Sequence, residues 1–489
     1  MPAWLAVLGI TAGFAVVAWS GVEQWGGNGD DAAAYRDYVQ WLDQQHRIPR
    51  ADQNYEYAVP EGVPYVGMLV QRAFGTPHYD NPSSPVLQGL PKLLRRLLWI
   101  ALVFAGGAAL ARARPPEPRW LLGIGLWIAA AGWAGAYVWA AANNEVWLPL
   151  VLVSYTAGVL LVPATAWLAH EVYPERRWAP ALGAFGAALL PPIFATTLFF
   201  HPDPPFALLA VIATALVVRA LRTGLTARAG LLAGVVLGAS ALARQSWPAV
   251  AVPLALAVVL VARRESVRYV VATSGAMAVT AGWWWYQQWE RFGNPIQGNL
   301  NRPQYLLDHE PASFFVSFPV KLITQPHGPA FKNELLPRFH AYLWSDWGGN
   351  YHHWGNTKAW ATTLATTQSI LGFGGDALVL AGVVAFGLTA VRRVAKRTER
   401  KPGDAAFTVL TSLFLLSWAA FIEQLVRYPW RDGDTIKVHY LLYLAPVSVV
   451  FAIASGTALV RRGGWRRTAL LSWLALYTVS WALTLATAF

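Results

Sequence analysis

Cysteine is absent from the 489-residue sequence. Disulfides, thiolate metal sites, cysteine nucleophiles and iron–sulfur ligation are thereby excluded, and any exported segment must hold its shape by packing alone. Charge is also scarce. Charged residues make up 13% of the chain, against about 25% in a soluble domain, while hydrophobic residues reach 55% and the mean hydropathy is +0.36. No fixed-period repeat, low-complexity tract or soluble domain is visible, and the one clear linker is the basic stretch Arg392–Asp404. What is present instead is a series of apolar runs of about 17 to 25 residues, the length that crosses a bilayer. The composition describes an all-α polytopic membrane protein.

Apolar windows predict about thirteen spans, at 2–20, 97–112, 120–142, 147–169, 179–200, 205–222, 229–244, 247–262, 268–288, 367–391, 405–425, 438–460 and 468–488. The run Met1–Ser20 has no basic start and no small-x-small cleavage signal, so it reads as a retained anchor with a cytoplasmic N-terminus. In that register the inner turns collect 21 basic and 6 acidic residues, a net of +15, leaving 17 basic and 20 acidic residues, a net of −3, for the outer side. The positive-inside rule is satisfied. It also accounts for the formal net charge of +12 without nucleic acid, because the basic residues are short staples at helix ends such as Arg219, Arg222, Arg461 and Arg462 rather than one continuous basic face.

Two outer segments, 21–96 and 289–366, are too long for simple connections. Within the first, Tyr35, Tyr38, Val39 and Leu42 recur at helical spacing, predicting helices over 32–46 and 62–74 that lie along the outer membrane surface. Both segments are dense in Trp, Tyr and His, residues suited to the headgroup layer.

Several polar clusters on this outer side carry candidate chemistry. Gly27-Asn28-Gly29-Asp30-Asp31 directly follows the first span. Asp30 and Asp31 can cap the next helix and favour its dipole; they can also act as a general base made more basic by partial desolvation, or hold a divalent cation such as Mg2+ or Mn2+ against a phosphate. His201-Pro202-Asp203-Pro204-Pro205 follows the fifth span. Its Asp can cap a proline-started helix, or His201 and Asp203 can contribute to a polar substrate site. Arg244 interrupts the apolar stretch Leu231–Ala262, where a charge is costly and usually lines a cavity; a plain turn is the alternative. Its guanidinium suits a lipid phosphate. In the second long loop, Leu336-Pro337-Arg338-Phe339-His340 precedes Trp344, Asp346, Trp347, His352 and their neighbours, a mixture of rings and polar groups that fits either a carbohydrate surface or an interfacial aromatic belt. Arg427, Arg431 and Lys437 crowd cations into the outer loop before the twelfth span, with His439 just beyond. An anionic ligand such as a lipid phosphate explains that departure from the charge trend.

Taken with its position after the first span, the Gly29-Asp30-Asp31 motif resembles the GT-C superfamily of membrane glycosyltransferases, which includes protein O-mannosyltransferases, aminoarabinose transferases and dolichyl-phosphate glucosyl- and mannosyltransferases. The outer His201-Pro202-Asp203, the Trp344-Ser345-Asp346-Trp347-Gly348 stretch and Gly433-Asp434-Thr435-Ile436-Lys437-Val438-His439-Tyr440 ahead of an apolar span extend the resemblance. It implies an inverting enzyme that moves a sugar from a polyprenyl-phosphate donor to an outer-face glycan, lipid or protein acceptor. Asp30 or Asp31 would be the base, Arg244, Arg431, Lys437 and His439 would bind the donor phosphate, and His201, Asp203, Trp344, Asp346, Trp347 and His352 would contact substrate. The implied layout is a catalytic membrane module over 1–288, an acceptor region over 289–366 and C-terminal helices over 367–489 with the donor-phosphate loop at 426–437. The Tyr-x-x-Pro-Pro stretch usual after the first-loop helix is present only loosely, as Tyr57 to Pro64, which leaves the sugar open. The Ala-, Arg- and Trp-rich composition suits the plasma membrane of a high-GC bacterium. A transporter or flippase of an anionic lipid is the alternative, disfavoured by the lack of two similar halves and by few charges within the spans.

Overall fold

The computed structural model describes residues 2–25, 32–49, 60, 62–74, 148–296, 311–317, 334–345, 359–396, 404–427 and 438–488. Among these the chain is all helical: α1 (Pro2–Trp25), α2 (Ala32–Gln45), α3 (Gly62–Phe74), α4 (Leu148–Val172), α5 (Ala179–Ala188), α6 (Pro191–Thr197), α7 (Asp203–Thr223), α8 (Ala227–Ala243), α9 (Pro248–Ala262), α10 (Val267–Phe292), α11 (Ala312–Val316), α12 (Leu335–Trp344), α13 (Ala359–Lys396), α14 (Ala405–Arg427), α15 (Ala445–Arg462) and α16 (Gly464–Ala488). Short 3-10 segments precede α10 and α15, at Arg263–Ser266 and Val438–Leu444.

Among the described residues, seven of the thirteen expected spans are helical segments long and apolar enough to cross a membrane, the one over 438–460 joining the 3-10 segment to α15. The expected span at 179–200 is instead a pair, α5 and α6, bent by 64°. The cause is local: Pro191 and Pro192 open α6, and proline can neither donate a backbone bond nor continue the preceding helix. Over the windows at 229–244, 247–262 and 268–288 stand α8, α9 and α10. The first two have 17 and 15 residues, about 25 and 22 Å at 1.5 Å per residue, less than the roughly 30 Å of a hydrocarbon core. The windows at 97–112 and 120–142 lie outside the described residues. These findings are those of a helical polytopic membrane protein.

Helix α4 runs through the centre, with 89% of its span buried, and touches α1, α3, α5, α6, α7 and α15. Its Tyr155 hydroxyl donates to the Ala15 carbonyl at 3.0 Å, and Phe14 of α1 meets Phe194 of α6 edge to face. By contrast α16 buries only 22% of its span, and Val279 of α10, Val384 and Val391 of α13 and Val479 of α16 are exposed, as lipid-facing side chains are. Among the described residues, α8 and α10 pack closely along their length. A methyl group built on Gly230 would stand 2.6 Å from the Tyr269 carbonyl oxygen and one on Gly238 2.5 Å from the Thr280 Cβ, with Gly234 between them equally pressed on Thr273. Glycine every fourth residue puts a side-chain-free groove on one face, which is how membrane helices gain contact where lipid weakens the hydrophobic drive between them.

The two ends of the bundle differ in chemistry. Glu171 at the end of α4 is buried and paired with Arg222 at the end of α7, and it also accepts the Trp167 indole N–H at 2.9 Å. Arg228 opens α8, and Arg263 and Arg264 follow α9. At the opposite end, where α7 and α9 begin and α8 stops, the first-loop helices pack. The start of α3 presses on Leu242, a methyl on Gly62 lying 2.5 Å from its carbonyl oxygen, and Arg291 Nη2, near the end of α10, donates to the Pro49 carbonyl at 2.8 Å.

Candidate functional site

At that second end a compact polar cluster forms from three separate parts of the chain. His201 sits in the short link between α6 and α7. Its backbone is held to α4 by a reciprocal pair of bonds: its N–H donates to Ser154 Oγ at 2.8 Å, and that hydroxyl donates to the His201 carbonyl at 2.9 Å. Asp203, two residues on, is the first residue of α7, where Pro204 and Pro205 supply the backbone angles of a helix start. Its carboxylate turns inward, with Oδ2 2.9 Å from His201 Nδ1 and Oδ1 against the Arg244 guanidinium.

Arg244 reaches Asp203 because α8 ends there. The residue is extended, at φ −154° and ψ 145°, so its side chain leaves the helix axis and crosses to α7, lying over the Tyr440 ring at 4.6 Å from its centroid. His439, from the 3-10 segment ahead of α15, completes the group: its Nε2 is 3.6 Å from Asp203 Oδ2, and its ring is 4.9 Å from that of His201. His201, Asp203 and His439 are all buried, and the Arg244 side chain is 16% exposed. Aromatic edges enclose them: Phe199 and Tyr35 against His201, Tyr342 against His439. The buried carboxylate is stabilised by the guanidinium, since an unpaired ion there would cost several kcal/mol, and the remaining donors of the five-donor arginine fork can serve an anion.

The sequence-predicted residues thus divide. His201, Asp203, Arg244 and His439, assigned above to substrate and to donor phosphate, meet in one cluster. Trp344 belongs to a different network on the second outer segment. Its indole N–H donates to Asp376 Oδ1 at 2.7 Å, and its ring fills a notch on α13 where Gly372 and Gly375 have no side chain to oppose it. His340, one turn earlier on α12, places Nδ1 2.5 Å from the other Asp376 oxygen and Nε2 2.8 Å from the Ser369 carbonyl, and stacks on Phe373 at 4.2 Å. Asp376 escaped sequence reading, although a lone acid within the apolar run of α13 is the signal that finds it. Asp30, Asp31, Asp346, Trp347, His352, Arg431 and Lys437 lie outside the described residues. Beside Arg244 a narrow cleft is lined by Gln245, Trp247, Trp284 and Gln288; Trp247 stacks on Trp285 at 5.0 Å, and the buried Gln288 amide has no hydrogen-bond partner among the described residues.

Comparison of the chain with known protein families, with curated proteins and with solved structures gives no match.

Proposed function

We propose that the chain is an inverting membrane glycosyltransferase of the GT-C kind, with thirteen spans, that transfers a sugar from a polyprenyl-phosphate donor to an acceptor on the outer face of the plasma membrane. The observation that carries this reading is the meeting of His201, Asp203, Arg244 and His439 at the end of the bundle against which the first-loop helix packs. Tyr35, in the first turn of α2, has its ring 5.2 Å from that of His201, and α2 begins directly after the Asp30-Asp31 pair. The guanidinium of Arg244 is the anion-binding element.

In this reaction an Asp30 or Asp31 carboxylate takes the acceptor hydroxyl proton as its oxygen attacks the anomeric carbon from the face opposite the phosphate. The carbon–oxygen bond to phosphate breaks with its electron pair, leaving polyprenyl phosphate, whose charge Arg244 stabilises together with Arg431 and Lys437. A transfer assay with radiolabelled polyprenyl-phosphate sugars and membrane extract as acceptor tests the reading. Label should move from donor to acceptor, and Arg244→Ala should raise donor KM far more than acceptor KM, by about 10- to 100-fold for one charge-assisted hydrogen bond. Absence of transfer from every polyprenyl donor, with Arg244-dependent movement of such lipids across proteoliposomes, would favour a flippase instead.

A further inference from the structure

We propose that His201, Asp203 and His439 form a binding site for a divalent transition-metal ion, Zn2+ foremost. Its ligands are other residues than the Asp30-Asp31 pair, and the inference holds or fails independently of sugar transfer. One ligand atom from each of the three residues lies within 4.8 Å of the others. The two contacts that share Asp203 Oδ2 measure 2.9 and 3.6 Å. Ligand atoms about 2.0 to 2.2 Å from a tetrahedral Zn2+ stand roughly 3.3 to 3.6 Å apart, so side chains in this arrangement need only small adjustments to close around one ion.

A bland buried ion pair accounts for less. Asp203 already has its charge partner in Arg244, through Oδ1, so neutralisation does not require two imidazoles at Oδ2. The Asp203 backbone N–H also lies 3.4 Å from His201 Nδ1, so this ring nitrogen and Asp203 are held against each other. The 2.9 Å contact between His201 Nδ1 and Asp203 Oδ2 is a hydrogen-bond length in the metal-free protein, and an ion bound there would displace the shared proton. The three residues come from two parts of the chain, the start of α7 and the 3-10 segment ahead of α15, and the reciprocal Ser154 bonds fix His201 in place, as supporting contacts fix ligands in metal sites.

The donor set selects the ion. Two imidazoles and one carboxylate suit Zn2+ and its borderline neighbours, whereas Mg2+ and Ca2+ take oxygen ligands. Three protein ligands leave a further position open, the pattern of Zn2+ sites that act on a bound oxygen ligand. With Arg244 alongside, that ligand would be an anionic oxygen.

Purified full-length chain, its affinity tag removed, should carry about one equivalent of Zn2+ by elemental analysis. After chelation it should bind one equivalent of Co2+ with the intense visible absorption of a low-coordinate site, displaced by Zn2+. His201→Ala and His439→Ala should each weaken Co2+ binding by about 100-fold or more, while Asp30→Asn and Asp31→Asn should leave it unchanged. X-ray absorption of the Zn2+-loaded wild-type protein should show imidazole nitrogen and oxygen at about 2.0 to 2.2 Å, a readout that survives misfolding of any variant. Absence of both Zn2+ and a Co2+ band from the wild-type protein would overturn the site, as would metal binding that persists in folded His variants or vanishes in the Asp30 or Asp31 variants.

Discussion

The guanidinium of Arg244 and the carboxylate of Asp203 stand 41 residues apart in the chain and are joined between the end of α8 and the start of α7. Asp203 is 1% exposed at its side chain and Arg244 16%, so each satisfies a charge that water reaches poorly.

Removing one partner should therefore hurt more than removing both. In protein stripped of metal by a chelator, Arg244→Ala leaves a buried carboxylate uncompensated and should lower stability by about 3 to 5 kcal/mol, whereas the double variant Arg244→Ala, Asp203→Asn should recover part of that loss. Thermal unfolding in a single detergent measures both; a double variant less stable than Arg244→Ala would contradict the pairing account.

For the first outer loop, Asp30→Asn should abolish turnover while leaving folding and donor binding largely intact, since the amide keeps shape and some capping ability but cannot accept a proton. Loss of a general base typically lowers rate about 100- to 10,000-fold. Near-normal rates in both Asp30→Asn and Asp31→Asn would return the pair to a helix-capping role.

Docking of α12 onto the membrane helices depends on Trp344 and Asp376. Trp344→Ala should cost about 3 to 5 kcal/mol by opening a cavity over Gly372 and Gly375. Asp376→Ala strips the acceptor from both the Trp344 indole and His340. In each variant limited proteolysis within 318–358 should speed up; unchanged cleavage would show that α12 is held by other contacts.

The side of the membrane is open to a direct check. Reporters fused after Ala395 and Arg462 should be cytoplasmic and those inserted near Asn81 and Asn350 extracytoplasmic, from the charge split of +15 against −3. An Asn350 reporter on the cytoplasmic side would sink the topology and the outer-face site together.

Helices were legible because their formation in an apolar solvent is a local matter: every backbone group finds its partner four residues away, so apolar runs and their Pro, Gly and Arg boundaries suffice. The predicted helix over 62–74 coincides with α3 (Gly62–Phe74), and that over 32–46 with α2 to within a residue. The chain's own chemistry also singled out His201, Asp203 and Arg244, since ionisable groups beside or within apolar stretches are expensive wherever they end up. It did not decide what they do. A capping role for Asp203 was as good a reading as any until its carboxylate was seen turned inward to His201 and Arg244. Nor could spacing bring His439 to a residue more than two hundred positions earlier, or send Trp344 into the glycine notch of α13. Those placements depend on which helix faces meet. That is settled by close contacts such as Gly230, Gly234 and Gly238 against α10 and by bonds such as Ser154 to His201, made between segments distant in sequence; only the tertiary structure supplies them, because no local periodicity encodes which groove accepts which side chain.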